Sequence, residues 1–440
     1  MRSWFIDLWL RIQASYWFIP ALLAVGAVII AVFAVRADAE LGAAWWEQFG
    51  WINLNTAEGA RALLSAVAGS MITVAGVTFS GTLLAVSHAS SQIGPRLLSG
   101  FMRDRGNQVT LGIFIATFLY CLIVLRTISP GDLGVDSKDS SLFVPHLAVL
   151  LAIGFAVLSV LVLIYFIHHV PQSINVSTVI ARVGDEILTG VGNVYPLPDE
   201  ADDTVGKPTC CGGDPQAVIK LEGKSGYLRV LDFDALIDKA AEQDLVIEML
   251  VQPGEFGVPG QPLMHVYAEA AVDIETLEAL ADNLSWGRER TPEQDVMSSI
   301  EQMAEIFAKA MSPGVNGQFT AINCLDQLAA AFVELLRRGE CPQCLADDND
   351  VVRVVRRSHP RAYVFEITCR ALRQFMRGDW VVTSRFVMLL TTLAELNSLA
   401  GSRQQILEQA ALTLTEAEAS DMSDAEKQAL KKQGEKLTRS

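Results

Sequence analysis

Residues 62–87 read ALLSAVAGSMITVAGVTFSGTLLAVS, a run without a single charge. At about 1.5 Å of rise per residue, a helix of this length crosses the roughly 30 Å hydrocarbon core with turns to spare. A lipid-facing helix is built from Leu, Ile, Val and Phe, yet this one carries Ser65, Ser70, Thr73, Thr78, Ser80 and Thr82. Gly69, Gly76 and Gly81 admit another backbone at close range. The segment is therefore read as a membrane helix that faces protein or water rather than acyl chains. On a helical net Ser65, Gly69, Thr73, Gly76, Ser80 and Ser87 lie near one stripe, with Ser70 beside it. Two readings stand: the wall of a permeation path, whose hydroxyls replace part of an ion's hydration, or close helix–helix packing.

Three further spans accompany it, near residues 17–35, 111–128 and 147–167. Trp17 and Phe18 open the first at interfacial depth. Ala37-Asp38-Ala39 resembles a cleavage site, but the apolar core before it is too long for a signal peptide, so the segment is read as a retained span. The segment before the first span carries Arg2 and Arg11 against Asp7, and the loop after the second carries Arg96, Arg103 and Arg105 against Asp104. The other two loops are acidic, with Asp38, Glu40 and Glu47 in one and Asp132, Asp136 and Asp139 in the next. Basic loops stay in the cytoplasm. The reading is a multi-pass protein of a bacterial cytoplasmic (inner) membrane with both ends inside.

The fold expected is a four-span membrane α-helical domain (residues 1–169) followed by a cytoplasmic α+β region. That region comprises a helical connector and linker (170–215), a small β-sandwich-like unit (216–270) and a helical bundle (271–440). Runs at 217–222, 227–232, 245–251 and 263–268 are β-like, with a short helix at 233–242 and turn chemistry in Pro253-Gly254-Glu255-Phe256-Gly257. The likeness to biotinyl or lipoyl carrier sandwiches is architectural only, since no lysine lies between Asp244 and Tyr267. Helices are expected at 293–311, 321–338, 361–376, 383–399 and 403–416, then a last one opened by the capping box Ser423 and Glu426.

A net charge of −16 argues against nucleic acid as a partner. Seven cysteines in a mostly cytoplasmic chain imply free thiols or a metal rather than a disulfide framework. Cys341-Pro342-Gln343-Cys344 has the spacing of half a zinc site, but adjacent Cys210 and Cys211 are poor joint ligands, so no metal and no cofactor is assigned. Gly223-Lys224-Ser225 resembles the end of a phosphate loop, but Val218 stands where its first glycine belongs. No HExxH, dinucleotide fingerprint or ordered Ser–His–acid set is present, and the chain is read as non-enzymatic.

The stretch from Ser87 to Arg126 carries Ala89-Ser90-Ser91-Gln92, Pro95-Arg96-Leu97-Leu98, Arg103-Asp104-Arg105, Gln108, Leu111-Gly112 and Leu125-Arg126-Thr127. Arg290-Thr291, Gln294-Asp295 and Ser312-Pro313-Gly314-Val315-Asn316 follow further on. In these motifs, from the first span to about Arg338, the chain resembles the bacterial predicted membrane proteins carrying domain of unknown function 2254. That pattern has an acidic residue and a proline after the Asn, where this chain has Gly317-Gln318. The resemblance implies the topology and no activity.

The remaining candidates flank the stripe or lie in the cytoplasmic part. His88, Ser91, Gln92 and Arg96 continue the second helix to a cytoplasmic mouth, or Arg96 is a membrane-surface anchor. Arg126, near the opposite face, either snorkels or pairs with Asp132 or Asp136. His168 and His169 end the fourth span, as a pH sensor or as inert interfacial residues. Arg290, Gln294, Asp295, Asn316, Asn323 and Asp326 form a polar cluster, read as a pocket, an interface or a network bracing the Pro-Gly turn. The functional expectation is a homo-oligomeric channel for small inorganic ions, with membrane lipid and further copies of the chain as partners. The alternative is a non-conducting scaffold or sensor.

Overall fold

The computed structural model describes residues 17–41, 57–93, 104–128, 144–197, 213–396 and 401–439. The chain is mostly helical, and after Asn175 it passes from one unit to a second with its own cores.

The first unit contains α1 (Phe18–Leu41), α2 (Ala57–Ile93), α3 (Arg105–Thr127) and α4 (His146–Ile174). Alanines make its seams narrow: Ala27, Ala31 and Ala34 of α1 pack with Ala116, Tyr120 and Val124 of α3 and with Ala148 and Ala152 of α4. Small residues let apolar helices approach where lipid offers no hydrophobic drive. Gly112 marks the closest approach, since a Cβ there would lie 2.6 Å from Leu23 Cδ1 and 3.1 Å from Pro20 Cα. Buried hydrogen bonds add direction. Thr117 and Ser159 hydroxyls meet at 3.0 Å, and Tyr120 donates its hydroxyl to the carbonyl of Ala148 at 3.0 Å.

Asp38 is not a free loop charge. It sits in the last turns of α1, 4% exposed, and accepts the backbone N–H groups of Leu147 and Ala148, each at 3.0 Å. The N-cap of α4 is Pro145, which offers no side-chain acceptor, so a carboxylate from another helix satisfies two of its orphan donors.

The second unit begins with α5 (Val176–Val194), whose face Val179, Ile180, Val183, Ile187 and Val191 is buried. The connector is helical, as expected, but Asn175 is extended, with φ −62° and ψ 128°, and separates α4 from α5. Then follow β1 (Ala217–Lys220), β2 (Gly226–Leu231), α6 (Phe233–Glu242), β3 (Val246–Met249), β4 (Phe256–Gly257), β5 (Pro262–Tyr267), α7 (Ile274–Ala281) and β6 (Leu284–Gly287). Next come α8 (Val296–Ala310), α9 (Gln318–Arg337), β7 (Cys344–Ala346), β8 (Val352–Val355), α10 (Arg361–Met376), α11 (Trp380–Glu395), α12 (Arg403–Glu418) and α13 (Asp424–Arg439).

Two sheets form, ordered β1-β5-β3-β8-β7 and β4-β2-β6. They share a core of Leu228, Leu231, Leu236, Ile247, Met264, Val266, Leu280 and Val354. The expectation that everything after Val272 is helical is corrected here. β6 pairs antiparallel with β2, and β8 pairs parallel with β3, so both sheets recruit strands from beyond residue 280. These strands span only three or four residues, and the neighbour each pairs with is remote in sequence, which leaves no local period to read. The helices of this unit bury Phe307, Leu328, Phe332, Phe365, Leu372 and Phe386. Ser423 and Glu426 form the expected capping box, with Glu426 N–H donating to Ser423 Oγ at 3.4 Å and Ser423 N–H to the Glu426 carboxylate at 2.9 Å.

Among the described residues, five helices are long and apolar enough to cross a membrane: α1, α2, α3, α4 and α9.

Candidate functional site

α2 has two unlike faces. Ala60, Leu64, Ala68, Met71, Ala75, Thr82 and Val86 recur at helical spacing and are buried, and the first five join two apolar clusters with residues of α1, α3 and α4. The opposite face holds the seven stripe candidates, and every one of Ser65, Gly69, Ser70, Thr73, Gly76, Ser80 and Ser87 is exposed. A Cβ added at Gly69, Gly76 or Gly81 meets nothing within 4 Å. Ser70 donates its hydroxyl to the Ala66 carbonyl at 2.7 Å and Thr73 donates to Gly69 at 2.8 Å. With their protons committed inward, these oxygens present lone pairs outward.

The other side of α2 carries a polar layer built on Thr78 and Thr82. Thr78, Phe79 and Thr82 line a crevice of about 10 Å³ with Asn107, Thr110, Leu111 and Phe166. That is space for about one water, so the crevice itself passes no ion.

Of the expected mouth, His88, Ser91 and Gln92 fall within α2 and Arg96 lies outside the described residues. Arg126 is exposed at the end of α3, and the acidic residues proposed for it also lie outside the described residues. Arg61 was not anticipated; it donates to the Ile128 carbonyl at 2.6 Å and ties α2 to the end of α3. His168 contacts Gln172 at 3.1 Å, while His169 contacts Asp104.

In the second unit the polar cluster separates. Arg290 grips Asp295 through Nε at 2.7 Å and Nη2 at 3.0 Å, and reaches Glu301 at 2.6 Å. Burial works against its charge, but the two carboxylates overcome that and hold its pKa above the ordinary arginine value. Asp295 also caps α8 by accepting Ser298 N–H at 3.3 Å. Gln294 is bonded at both ends to the Leu231 backbone, at 2.8 and 2.9 Å. Asp326 pairs instead with Arg385 at 2.7 Å. Asn316 occupies the left-handed region at φ 47° in the α8–α9 turn, and Asn323 is exposed.

Gln294 and Asp295 border a cavity of about 160 Å³, together with Asn193, Tyr195, Phe233, Gln252, Cys341 and the run Arg356–His359. His359 lies 2.6 Å from the Gln252 amide, stacks on Tyr363, and accepts the Tyr195 hydroxyl on its carbonyl at 2.7 Å. Burial lowers the His359 pKa, helped by Arg357 and Arg290 and opposed by Glu255 and Asp295. Cys341 is buried on this cavity and Cys344 lies on β7, while Cys210 and Cys211 fall outside the described residues. Among the described residues no group of three or more His, Cys, Asp or Glu is arranged to hold a metal.

A family model described as "Predicted membrane protein (DUF2254)" matches residues 13–392. Uncharacterised proteins of Mycobacterium tuberculosis (strain ATCC 25618 / H37Rv) and Mycobacterium bovis are each 31% identical over 341 residues, covering 76% of this chain and 64% of their own length. The chain therefore spans less than two thirds of the curated relatives it matches. No solved structure matches it.

Proposed function

Because the chain belongs to the DUF2254 family of predicted membrane proteins, we propose that it is a homo-oligomeric, non-enzymatic channel of a bacterial cytoplasmic membrane, its path lined by α2. One observation supports this reading: a stripe of seven small and hydroxyl-bearing residues on a membrane helix, flanked by Val77 and Leu84, is left uncovered by its own unit. Facing lipid, hydroxyls and bare backbone gain nothing. Around a closed symmetry axis the same faces meet each other or water. Outward lone pairs on Ser70 and Thr73 suit cations, which they partly coordinate in place of water.

In this reading α1 to α4 are the spans, with both flanking ends on the cytoplasmic side as the loop charges direct. α9 belongs to the second unit. It packs on α5, α8 and α11, and its Asp326 and Glu334 are paired with Arg385 and Arg338. Paired carboxylates on a helix packed by its own unit mark a core helix rather than a lipid-exposed span.

A second reading has its own support. The same inward hydroxyl bonds let two copies of α2 pack dry, as expected of a scaffold or sensor that conducts nothing. Flux of K⁺, Na⁺ and Cl⁻ from liposomes containing the purified chain separates the two. The channel reading expects cation flux that Gly76→Trp abolishes with assembly intact. Absence of flux across pH and osmotic stress favours the scaffold, and flux unchanged in the variant takes the path off α2.

A further inference from the structure

The cavity in the second unit is built around an arginine that is fixed in place but not neutralised. The backbone N–H of Arg356 donates to the Gln343 carbonyl at 2.7 Å, its Nε donates to the Pro342 carbonyl at 2.6 Å, and its guanidinium lies 5.4 Å from the centre of the Phe233 ring. These contacts set the direction of the fork. Its two terminal amino groups have no acceptor among the described residues.

The neighbouring cations are spent. Arg290 is held by Asp295 and Glu301, and Arg357 donates to the Leu250 carbonyl and stands 3.8 Å from Glu255. The N-terminus of α8 adds nothing, because Asp295 already caps it. Ser358, half-buried on the same lining, has a hydroxyl without a partner among the described residues. A preorganised guanidinium fork beside a free hydroxyl is the donor set that takes a carboxylate or phosphate in bidentate fashion.

We propose that this cavity binds a small organic oxyanion, a phosphate monoester or a carboxylate, on Arg356 and Ser358. The volume of about 160 Å³ suits a compact metabolite. The exposed carboxylate of Glu293 on the same lining selects against a polyanion such as a nucleoside triphosphate. The site belongs to the second unit alone, so it stands whether or not the first unit conducts.

Titration calorimetry on the detergent-purified full chain tests it, with inorganic phosphate, glycerol 3-phosphate and succinate as probes. Saturable binding of at least one probe is expected, weakened about tenfold or more by Arg356→Gln and unchanged by Arg370→Gln on exposed α10 surface. Phosphates binding without succinate identify a phosphate site, and the reverse a carboxylate site. Ser358→Trp, which narrows the cavity while keeping the arginine in the chain, must weaken binding as well and decides the matter if Arg356→Gln fails to fold. Failure of every probe to bind below about 10 mM, or equal binding by the folded variants, overturns the proposal.

Discussion

The carboxylate of Asp104 lies 3.1 Å from Nε2 of His169, joining the first residue before α3 to the last turns of α4. Asp104 also accepts the N–H of Gly106 at 2.7 Å and of Asn107 at 3.3 Å, so one side chain both caps α3 and fastens α4 to it. Asp104→Ala is expected to cost about 1 kcal/mol for the cap plus the contact, and His169→Ala only the contact. A double-mutant cycle on unfolding in mild detergent isolates the pair; a coupling indistinguishable from zero refutes the fastening role.

Asp38→Ala removes the acceptor for two backbone donors of α4. The loss is expected to be on the order of 2 kcal/mol, because both N–H groups are left unmatched away from water. Asp38→Asn keeps one acceptor oxygen and is expected to lose less. Thermal unfolding of the two variants should rank them in that order, and equal midpoints would contradict the assignment.

Two glycines in membrane helices are expected to behave oppositely. Gly112→Val drives new atoms into Leu23 and Pro20 and should cost about 1–3 kcal/mol or displace α1. Gly76→Val places its side chain in open space on α2 and should leave the stability of the isolated protomer nearly unchanged. Any defect of Gly76→Val must then appear in assembly or flux, measured by size-exclusion and liposome release.

His359 carries the pH prediction. Its pKa is lowered in the folded unit, chiefly by burial, from the ordinary value of 6.5. The unfolded chain therefore binds the proton first, and the stability gained from keeping the imidazole neutral is full above about pH 6.5 and lost as pH falls below it. His359→Gln should flatten that part of the stability profile. A wild-type and variant difference that stays constant from pH 8 to 5 would refute it.

How much of this was legible in the sequence follows from where the partners lie. The polar stripe of α2 was readable because a helix brings its third and fourth neighbours to one face, and all seven residues share that exposed face. The bounds of α6 and α10 agree with periodicity for the same reason. Asp38 was not readable, because its donors are 109 and 110 residues away. Of the cavity in the second unit, the sequence singled out only Gln294, Asp295 and Cys341. Tyr195, Phe233, Gln252 and Arg356 come from four separate segments, and only the fold makes them neighbours. Cys341 drew notice for its spacing to Cys344, whereas its place in the structure is as an apolar wall of that cavity.

The bond from Asp38 to the start of α4 also imposes an order on biosynthesis. α1 leaves the ribosome long before α4 does, and until then its carboxylate has no N–H pair to meet. The end of the first helix is thus fastened to the start of α4 only after α2 and α3 have been made.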